Sequence, residues 1–178
     1  PLTLQNILFY CNPHYNMTNF EQISAKIQHW AQARSTVAAW QEAGLRVVFT
    51  NGCFDILHYG HIHYLAAARD LGDRLVIGLN AAASVRRLKG PNRPINDEMT
   101  RQYLLAALAF VDAVVVFEED TPLTIIELLQ PDVLVKGGDW QPDQIVGSAV
   151  VLARGGEVLS LPYIEGYSTT AIEAKIKN

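Results

Sequence analysis

The stretch VFTNGCFDILHYGHIHYLAAA, Val48 to Ala68, decides the fold of this chain. It begins as a short apolar strand, passes through Asn51-Gly52 and continues into a segment with helical periodicity. His58 and His61 stand where that helix is predicted to begin, with Gly60 between them. A helix start offers unpaired backbone N–H groups and the positive end of the helix dipole. Two imidazole donors added there predict a phosphate site, and Gly60 would let a nucleotide approach the backbone closely.

Composition narrows the class of protein around this stretch. Of the 178 residues, 49% are hydrophobic and 18% are charged, which predicts a globular chain with a substantial core. The net charge of −4 argues against a general nucleic-acid or acidic-membrane partner. Cys11 and Cys53 lie far apart and outside any CxxC pattern, which suits a reducing compartment rather than a disulfide framework or zinc site. With no bilayer-length apolar run and no secretion signal, we expect a cytoplasmic location.

Strand and helix patterns alternate along the rest of the chain. Strands are predicted at 45–50, 73–79, 113–117, 132–136 and 157–161, and helices at 58–71, 97–110, 122–130, 142–154 and 169–177. Short β-branched strands that alternate with helices predict an α/β fold: a doubly wound, Rossmann-like sheet of five parallel strands with helices on both faces. Such folds bind ligands at the carboxyl ends of the strands.

An N-terminal extension is predicted before this α/β unit. Its apolar residues keep near-helical spacing from Phe20 to Trp40, and Gly44 follows as a stop. Two tryptophans on this stripe indicate packing against the domain or a partner subunit. We therefore divide the chain into an extension with an amphipathic helix at 1–44 and a domain at 45–178.

The region after the first strand lacks the familiar nucleotide fingerprints. Neither GxGxxG nor GxxxxGK[ST] is present, and HxxH has no third or fourth metal ligand nearby. The remaining histidines, His14, His29 and His63, are interpreted as ordinary side chains. The His58/His61 pair is therefore interpreted as phosphate chemistry rather than a metal site.

Two motifs carry a family resemblance. The strand–NGCFDILHYGH–helix unit resembles the HxGH signature of the nucleotidyltransferase superfamily, and YSTTAI, Tyr167 to Ile172, resembles its second motif, ISTTxxI. Together they are specific, because they lie more than a hundred residues apart in the expected order. The resemblance implies that residues 45–178 form a nucleotidyltransferase domain.

Further stretches narrow the resemblance to one branch. ASVRRLKG, RPIN, FEEDTP and PDVLVKGGDW are similar to the D-glycero-β-D-manno-heptose 1-phosphate adenylyltransferases, which make ADP-activated heptose for lipopolysaccharide. In many bacteria that domain is fused behind a sugar kinase, and we expect the stand-alone form here. Tyr163 occupies the position where glycerol-phosphate cytidylyltransferases have a triphosphate-binding arginine. Ala81-Ala82 and Thr100 also depart from the pattern, which leaves the identity of the sugar open.

The resemblance implies a set of site residues. His58 and His61 would donate to the α-phosphate of ATP, and Lys89 and Arg101 would hold the triphosphate, with Mg²⁺ on the phosphates and no metal ligands from protein side chains. The nucleotide would contact three groups of residues: Asn51, Gly52, Cys53, Phe54, Asp55 and Gly60; Gly137, Gly138, Asp139 and Trp140; and Ser168, Thr169 and Thr170. The sugar phosphate would contact Arg93, Glu118, Asp120 and Thr121, although a solvated loop with a helix cap also explains the last three.

Three functions are consistent with these residues. The first is transfer of AMP from ATP to heptose 1-phosphate, in which the anionic sugar phosphate needs no general base. The second is a cytidylyltransferase acting on glycerol 3-phosphate or another small alcohol phosphate. The third is a non-catalytic nucleotide-binding module. By analogy with related enzymes we expect a homodimer.

Overall fold

A computed structural model describes residues 17–177 of the chain. Its five strands form one all-parallel sheet in the order β3-β2-β1-β4-β5. The strands are β1 (Val47–Gly52), β2 (Arg74–Asn80), β3 (Ala113–Phe117), β4 (Val133–Gly137) and β5 (Glu157–Leu161). The doubly wound fold predicted from the sequence is therefore confirmed, and β1 lies at its centre.

Helices cover both faces of the sheet. They are α1 (Asn19–Ala25), α2 (Trp30–Glu42), α3 (Tyr59–Arg69), α4 (Ala82–Lys89), α5 (Glu98–Ala106), α6 (Leu123–Leu129), α7 (Ser148–Leu152) and α8 (Thr169–Lys177), with a 3₁₀ turn at Pro142–Gln144. Helices α3 and α5 pack on one face, and α2, α6 and α7 pack on the other. Strand side chains alternate between these two apolar layers, as the period of a pleated strand requires.

The N-terminal helical segment is part of the packed fold. Thr18 and Glu21 form a capping box at the start of α1. The expected helical stripe is then divided, because Ile27 forms a parallel bridge with Val114 of β3. Trp30 Nε1 donates to Val116 O at 2.7 Å and fixes the start of α2 against the same strand. Val37 of α2 is buried in the core.

Helix α4 was not among the predicted helices. It occupies AASVRRLK, which overlaps the ASVRRLKG stretch of the family resemblance, and begins without a side-chain cap. Asn80 Nδ2 donates to Ser84 Oγ at 3.1 Å, and Glu98 accepts from Ala82 N at 2.7 Å. These partners from β2 and α5 stabilise a helix start that local sequence does not encode. The helix places Lys89 at the carboxyl edge of the sheet.

No helix within residues 17–177 has both the length and the apolar character that crossing a membrane requires.

Candidate active site

A cavity of about 440 Å³ opens at the carboxyl ends of β1 and β4, at the edge of the sheet where doubly wound folds bind ligands. Of the residues predicted to form the site, it is lined by Asn51, Gly52, Cys53, Phe54, Asp55, His61, Lys89, Asp120, Thr121, Gly137, Trp140 and Thr169. Residues from five separate parts of the sequence therefore meet at one place.

The two histidines stack against each other at the start of α3. Their ring centroids are 3.8 Å apart and their planes differ by 24°. The ring of Phe54 meets that of His61 edge-on at 5.3 Å. Phe54 itself has a φ of 42°, a conformation that non-glycine residues rarely adopt, and its side chain is buried. The strained turn after β1 thus supports the imidazole of His61 from one side.

Burial keeps both imidazoles in the neutral form. The pKa of His61 is lowered to about 4, chiefly by burial and to a smaller extent by the proximity of His58 and Lys89. Burial also lowers the pKa of His58. The Nδ1 atoms of both rings are buried without a hydrogen-bond partner among the described residues. Such polar atoms are costly in a folded chain unless a ligand satisfies them, so the pair is suited to an incoming phosphate.

Gly60, between the two histidines, leaves little room for a side chain. A Cβ atom built there would lie 3.1 Å from the His58 ring and 3.1 Å from Cβ of Tyr167. The glycine therefore lets the 166–168 loop approach the start of α3. Between them lies a second groove of about 360 Å³, which His58 and Ser168 help to line. The stacked pair thus separates the two spaces, with His61 on the main cavity and His58 on the groove.

Ser168 begins the last helix as its cap. Its Oγ accepts a hydrogen bond from Ala171 N at 3.0 Å. Thr169 lines the main cavity, whereas Thr170 is exposed and outside it. Two helix starts, those of α3 and α8, therefore converge on the histidines.

Asp55 positions a loop instead of capping α3. Its buried carboxylate accepts hydrogen bonds from Ile95 N at 2.7 Å and Asn96 N at 3.0 Å, and pairs with Arg93 at 2.7 Å. Arg93 also pairs with Glu173 of α8 at 2.6 Å. Arg93, predicted to contact the sugar phosphate, is thus held between two carboxylates and does not line the cavity.

Arg101 also lies away from the cavity. It was predicted to hold the triphosphate, yet its side chain is completely buried and does not line the cavity. Its Nη1 donates to Cys53 O at 2.9 Å and to Asn80 O at 2.8 Å. Arg101 therefore joins the carboxyl ends of β1 and β2 beneath the site.

The acidic loop after β3 only partly matches its predicted role. Asp120 and Thr121 line the cavity, and the Asp120 carboxylate pairs with Arg87 at 2.7 Å. Glu118, predicted to contact the sugar, does not line it. Its carbonyl oxygen accepts from Arg87 Nη2, so Arg87 ties the loop to α4.

Gly137, which ends β4, and Gly138, which follows it, lie beneath an aromatic side chain. A Cβ at Gly137 would lie 2.8 Å from the Tyr163 ring, and one at Gly138 would lie 3.2 Å from it. Trp140 Nε1 donates to Gly137 O at 3.2 Å. Trp140 and Tyr163 both line the cavity, while Gly138 and the exposed Asp139, predicted to contact the nucleotide, do not. This aromatic edge is suited to a planar ring such as a nucleotide base.

Some lining residues were not predicted. They include Tyr64, Asn80, Lys136 and Tyr163. Lys136 carries the clearest sequence signal, because it is the one charged residue of an otherwise apolar strand and stands directly before two glycines. The hydroxyl of Tyr64 is hydrogen-bonded to Thr50 of β1, and no local pattern indicates that pairing.

The neutral histidines lead to a pH prediction. Phosphate anions favour imidazolium, so binding of a triphosphate should raise the pKa of His61 above its free value of about 4. A group whose pKa rises on binding takes up protons at any pH between its two values. We therefore expect proton uptake when ATP binds at pH 5, measured as a dependence of the calorimetric enthalpy on the ionisation enthalpy of the buffer.

His61→Gln should lose most of this uptake, whereas His63→Gln, which changes an exposed side chain outside the cavity, should keep it. Proton release by the unmodified protein would contradict the assignment.

Comparisons with known proteins agree with this geometry. A family model described as cytidylyltransferase-like matches residues 49–175. The bifunctional protein HldE of Magnetococcus marinus is 55% identical over 157 residues, covering 88% of this chain and 32% of that protein. HldE of Mesorhizobium japonicum is 59% identical over 147 residues, covering 83% and 30%. The chain thus spans about a third of the length of the curated relatives it matches.

Solved structures share the fold. A lipopolysaccharide core biosynthesis protein from Thermoplasma volcanium superposes with a TM-score of 0.57 at 28% identity, covering 70% of this chain and 100% of that one. A pantoate–β-alanine ligase from Francisella tularensis superposes with a TM-score of 0.54 at 15% identity, over 85% and 76%. At that identity the ligase supports the fold alone.

Proposed function

Because this chain belongs to the cytidylyltransferase-like family, we propose that it transfers AMP from ATP to D-glycero-β-D-manno-heptose 1-phosphate. The products would be ADP-heptose and pyrophosphate, for lipopolysaccharide synthesis. The observation that carries the proposal is the stacked, neutral pair His58 and His61 beside a cavity that also holds two lysines. Identity of 55–59% to HldE proteins supports the sugar branch.

The reaction requires positioning more than covalent catalysis. An oxygen of the sugar 1-phosphate forms a bond to the α-phosphorus of ATP, and the bond from that phosphorus to the bridging oxygen breaks. The electron pair of the broken bond leaves with pyrophosphate. No proton must be removed from the nucleophile, because a phosphate oxygen is already anionic. Catalysis then depends on orientation and on stabilising charge around the α-phosphorus.

This chain supplies those functions from fixed elements. The imidazoles of His58 and His61 would donate hydrogen bonds to the α-phosphate as charge develops on it. The free N–H groups at the starts of α3 and α8 would bind the remaining phosphates. Lys89, at the end of α4, would neutralise the triphosphate. Its charge already acts on His61, whose pKa it lowers.

Magnesium would be held mainly by the nucleotide. Among the described residues, no group of three or more histidine, cysteine, aspartate or glutamate side chains is placed to hold a metal ion. The carboxylates that line the cavity, Asp55 and Asp120, are each paired with an arginine at 2.7 Å. These side chains therefore fit a Mg²⁺ ion bound to the phosphates. When bound, the ion neutralises part of the phosphate charge.

Base selectivity is the decisive test of the proposal. We expect ATP to be preferred over CTP by at least about tenfold in kcat/KM, on the order of 1.4 kcal/mol in transition-state binding. Polar groups of the backbone near Gly137 and of the 161–168 loop would be left unpaired by the wrong base. Pyrophosphate release with heptose 1-phosphate, measured side by side for the two nucleotides, checks this.

The family description itself favours a second candidate, a cytidylyltransferase for glycerol 3-phosphate or a similar alcohol phosphate. Equal or better use of CTP would contradict the preference for ATP, and turnover of CTP with glycerol 3-phosphate would support that alternative. Nucleotide binding without pyrophosphate release from any acceptor would indicate a non-catalytic module instead.

We also propose a cytoplasmic location, where ATP is available, and a homodimer. The nucleotidyltransferase domain would comprise residues 45–178, with 1–44 as an extension. Light scattering on the purified chain would test the homodimer directly.

A further inference from the structure

Lys136 is a cation that the proposed mechanism does not yet use. It lies at the carboxyl end of β4, after the buried residues Val133, Leu134 and Val135. Its side chain lines the main cavity, and its one hydrogen bond among the described residues is a long one, 3.4 Å to Asn51 Oδ1. A lysine that served only the fold would be expected to have a closer partner, because burying an unpaired ammonium is costly.

The position of Lys136 on the sheet separates it from the histidines. Side chains alternate along a strand, so Lys136 faces the same side as Leu134, which belongs to the same apolar layer as Ile126 of α6. The histidines lie at the start of α3, which packs on the opposite face. The cavity passes over the strand ends and joins these two sides.

In-line transfer to the α-phosphorus explains why Lys136 and the histidines would lie on different sides of the sheet. The nucleophile and the leaving group lie on opposite sides of the α-phosphorus, roughly in line. The groove between α3 and α8, which His58 and Ser168 help to line, would receive the leaving pyrophosphate if the triphosphate extends past the histidine pair. The acceptor must then approach from the other side of the histidine pair, where Lys136 borders the cavity.

We propose that Lys136 binds the phosphate group of the acceptor sugar 1-phosphate and holds its attacking oxygen towards the α-phosphorus. This inference rests on the proposed function, since it assigns the second substrate of that site. Burial lowers the pKa of Lys136. A bound phosphate dianion would raise this pKa again, because it would pair with the ammonium group. Asn51 keeps the amine pointed into the cavity until the acceptor arrives.

Steady-state kinetics of Lys136→Met test the proposal. We expect KM for heptose 1-phosphate to rise roughly 10- to 100-fold, the scale of losing a charged hydrogen bond, while KM for ATP stays within about threefold. Lys136→Arg should recover part of the loss because it restores the charge. Arg86→Met, which removes an exposed cation outside the main cavity, is the matched control and should leave both KM values unchanged. Equal rises in both KM values, or a fall in kcat alone, would overturn the assignment.

Chemical protection of Lys136 in the unmodified protein gives a second measurement. It requires neither a folded variant nor turnover. Acetylation of Lys136, quantified by mass spectrometry, should be slowed by heptose 1-phosphate but little by a non-hydrolysable ATP analogue. Protection by the analogue alone would refute the role of Lys136. Protection by the sugar phosphate in a protein that releases no pyrophosphate would support the subsite while refuting the proposed reaction.

Discussion

Replacing His58 or His61 by alanine should reduce turnover by roughly 10²–10³, the effect of losing one preorganised donor to a developing oxyanion. The affinity for ATP should change much less, because the imidazoles act most strongly where charge develops in the transition state. Their stacking at 3.8 Å and their lowered pKa values indicate two neutral donors held in a fixed arrangement. Single-turnover rates with saturating ATP and heptose 1-phosphate would measure the effect.

His63→Ala is the matched control, because His63 lies on the same helix but is exposed and outside both the cavity and the groove. It should retain normal turnover. If both variants of the stacked pair remained as active as this control, the phosphate role assigned to them would be wrong. The double variant should lose less than the product of the single losses, since the two rings act on one phosphate.

The second large effect is expected at Arg101, on stability rather than on substrate binding. Arg101→Met leaves the carbonyl groups of Cys53 and Asn80 without their donor in a buried place. Each such loss costs about 1–3 kcal/mol, so the loss of both should lower the free energy of unfolding by about 2–6 kcal/mol. Urea denaturation followed by circular dichroism would measure it.

The exposed Arg86→Met should change the free energy of unfolding by less than about 0.5 kcal/mol. A contrary result is easily recognised: an Arg101→Met protein of normal stability that has lost affinity for ATP. That outcome would restore Arg101 to the triphosphate-binding role predicted from the sequence.

The sequence predicted the sheet well because its strands are short, apolar and β-branched, and are separated by clear helix signals. It also predicted the place of the site, since a strand that leads through Asn51-Gly52 into His58 and His61 carries its chemistry locally. Helix α4 was missed because its start depends on Glu98 and on Asn80, residues outside the helix itself. Local propensity does not report partners of this kind.

Charged residues were harder to assign than the fold. Lys89, Arg93 and Arg101 fall within one basic run, yet the structure gives them three different environments. Their environments differ because their partners are far away in the sequence. Arg101 bonds to a carbonyl 48 positions away, and Arg93 bonds to a carboxylate 80 positions away. Lys136 was overlooked although it stands directly before Gly137 and Gly138, because the rest of its strand is apolar and indicates only a buried core element. Its environment is visible only when β1 and β4 are paired.

The ion pair between Arg93 and Glu173 has a consequence for how the protein opens. Helix α8 follows the last strand of the sheet, and this pair anchors it to the loop that Asp55 holds. Both side chains remain partly accessible, at 14% and 25%, so the anchor is weaker than the buried layers of the sheet. Helix α8 should therefore detach as a separate foldon, in a subglobal opening that leaves the parallel sheet intact. Such an opening would remove the part of the phosphate-binding surface that α8 carries, while the part that carries the histidines stays folded.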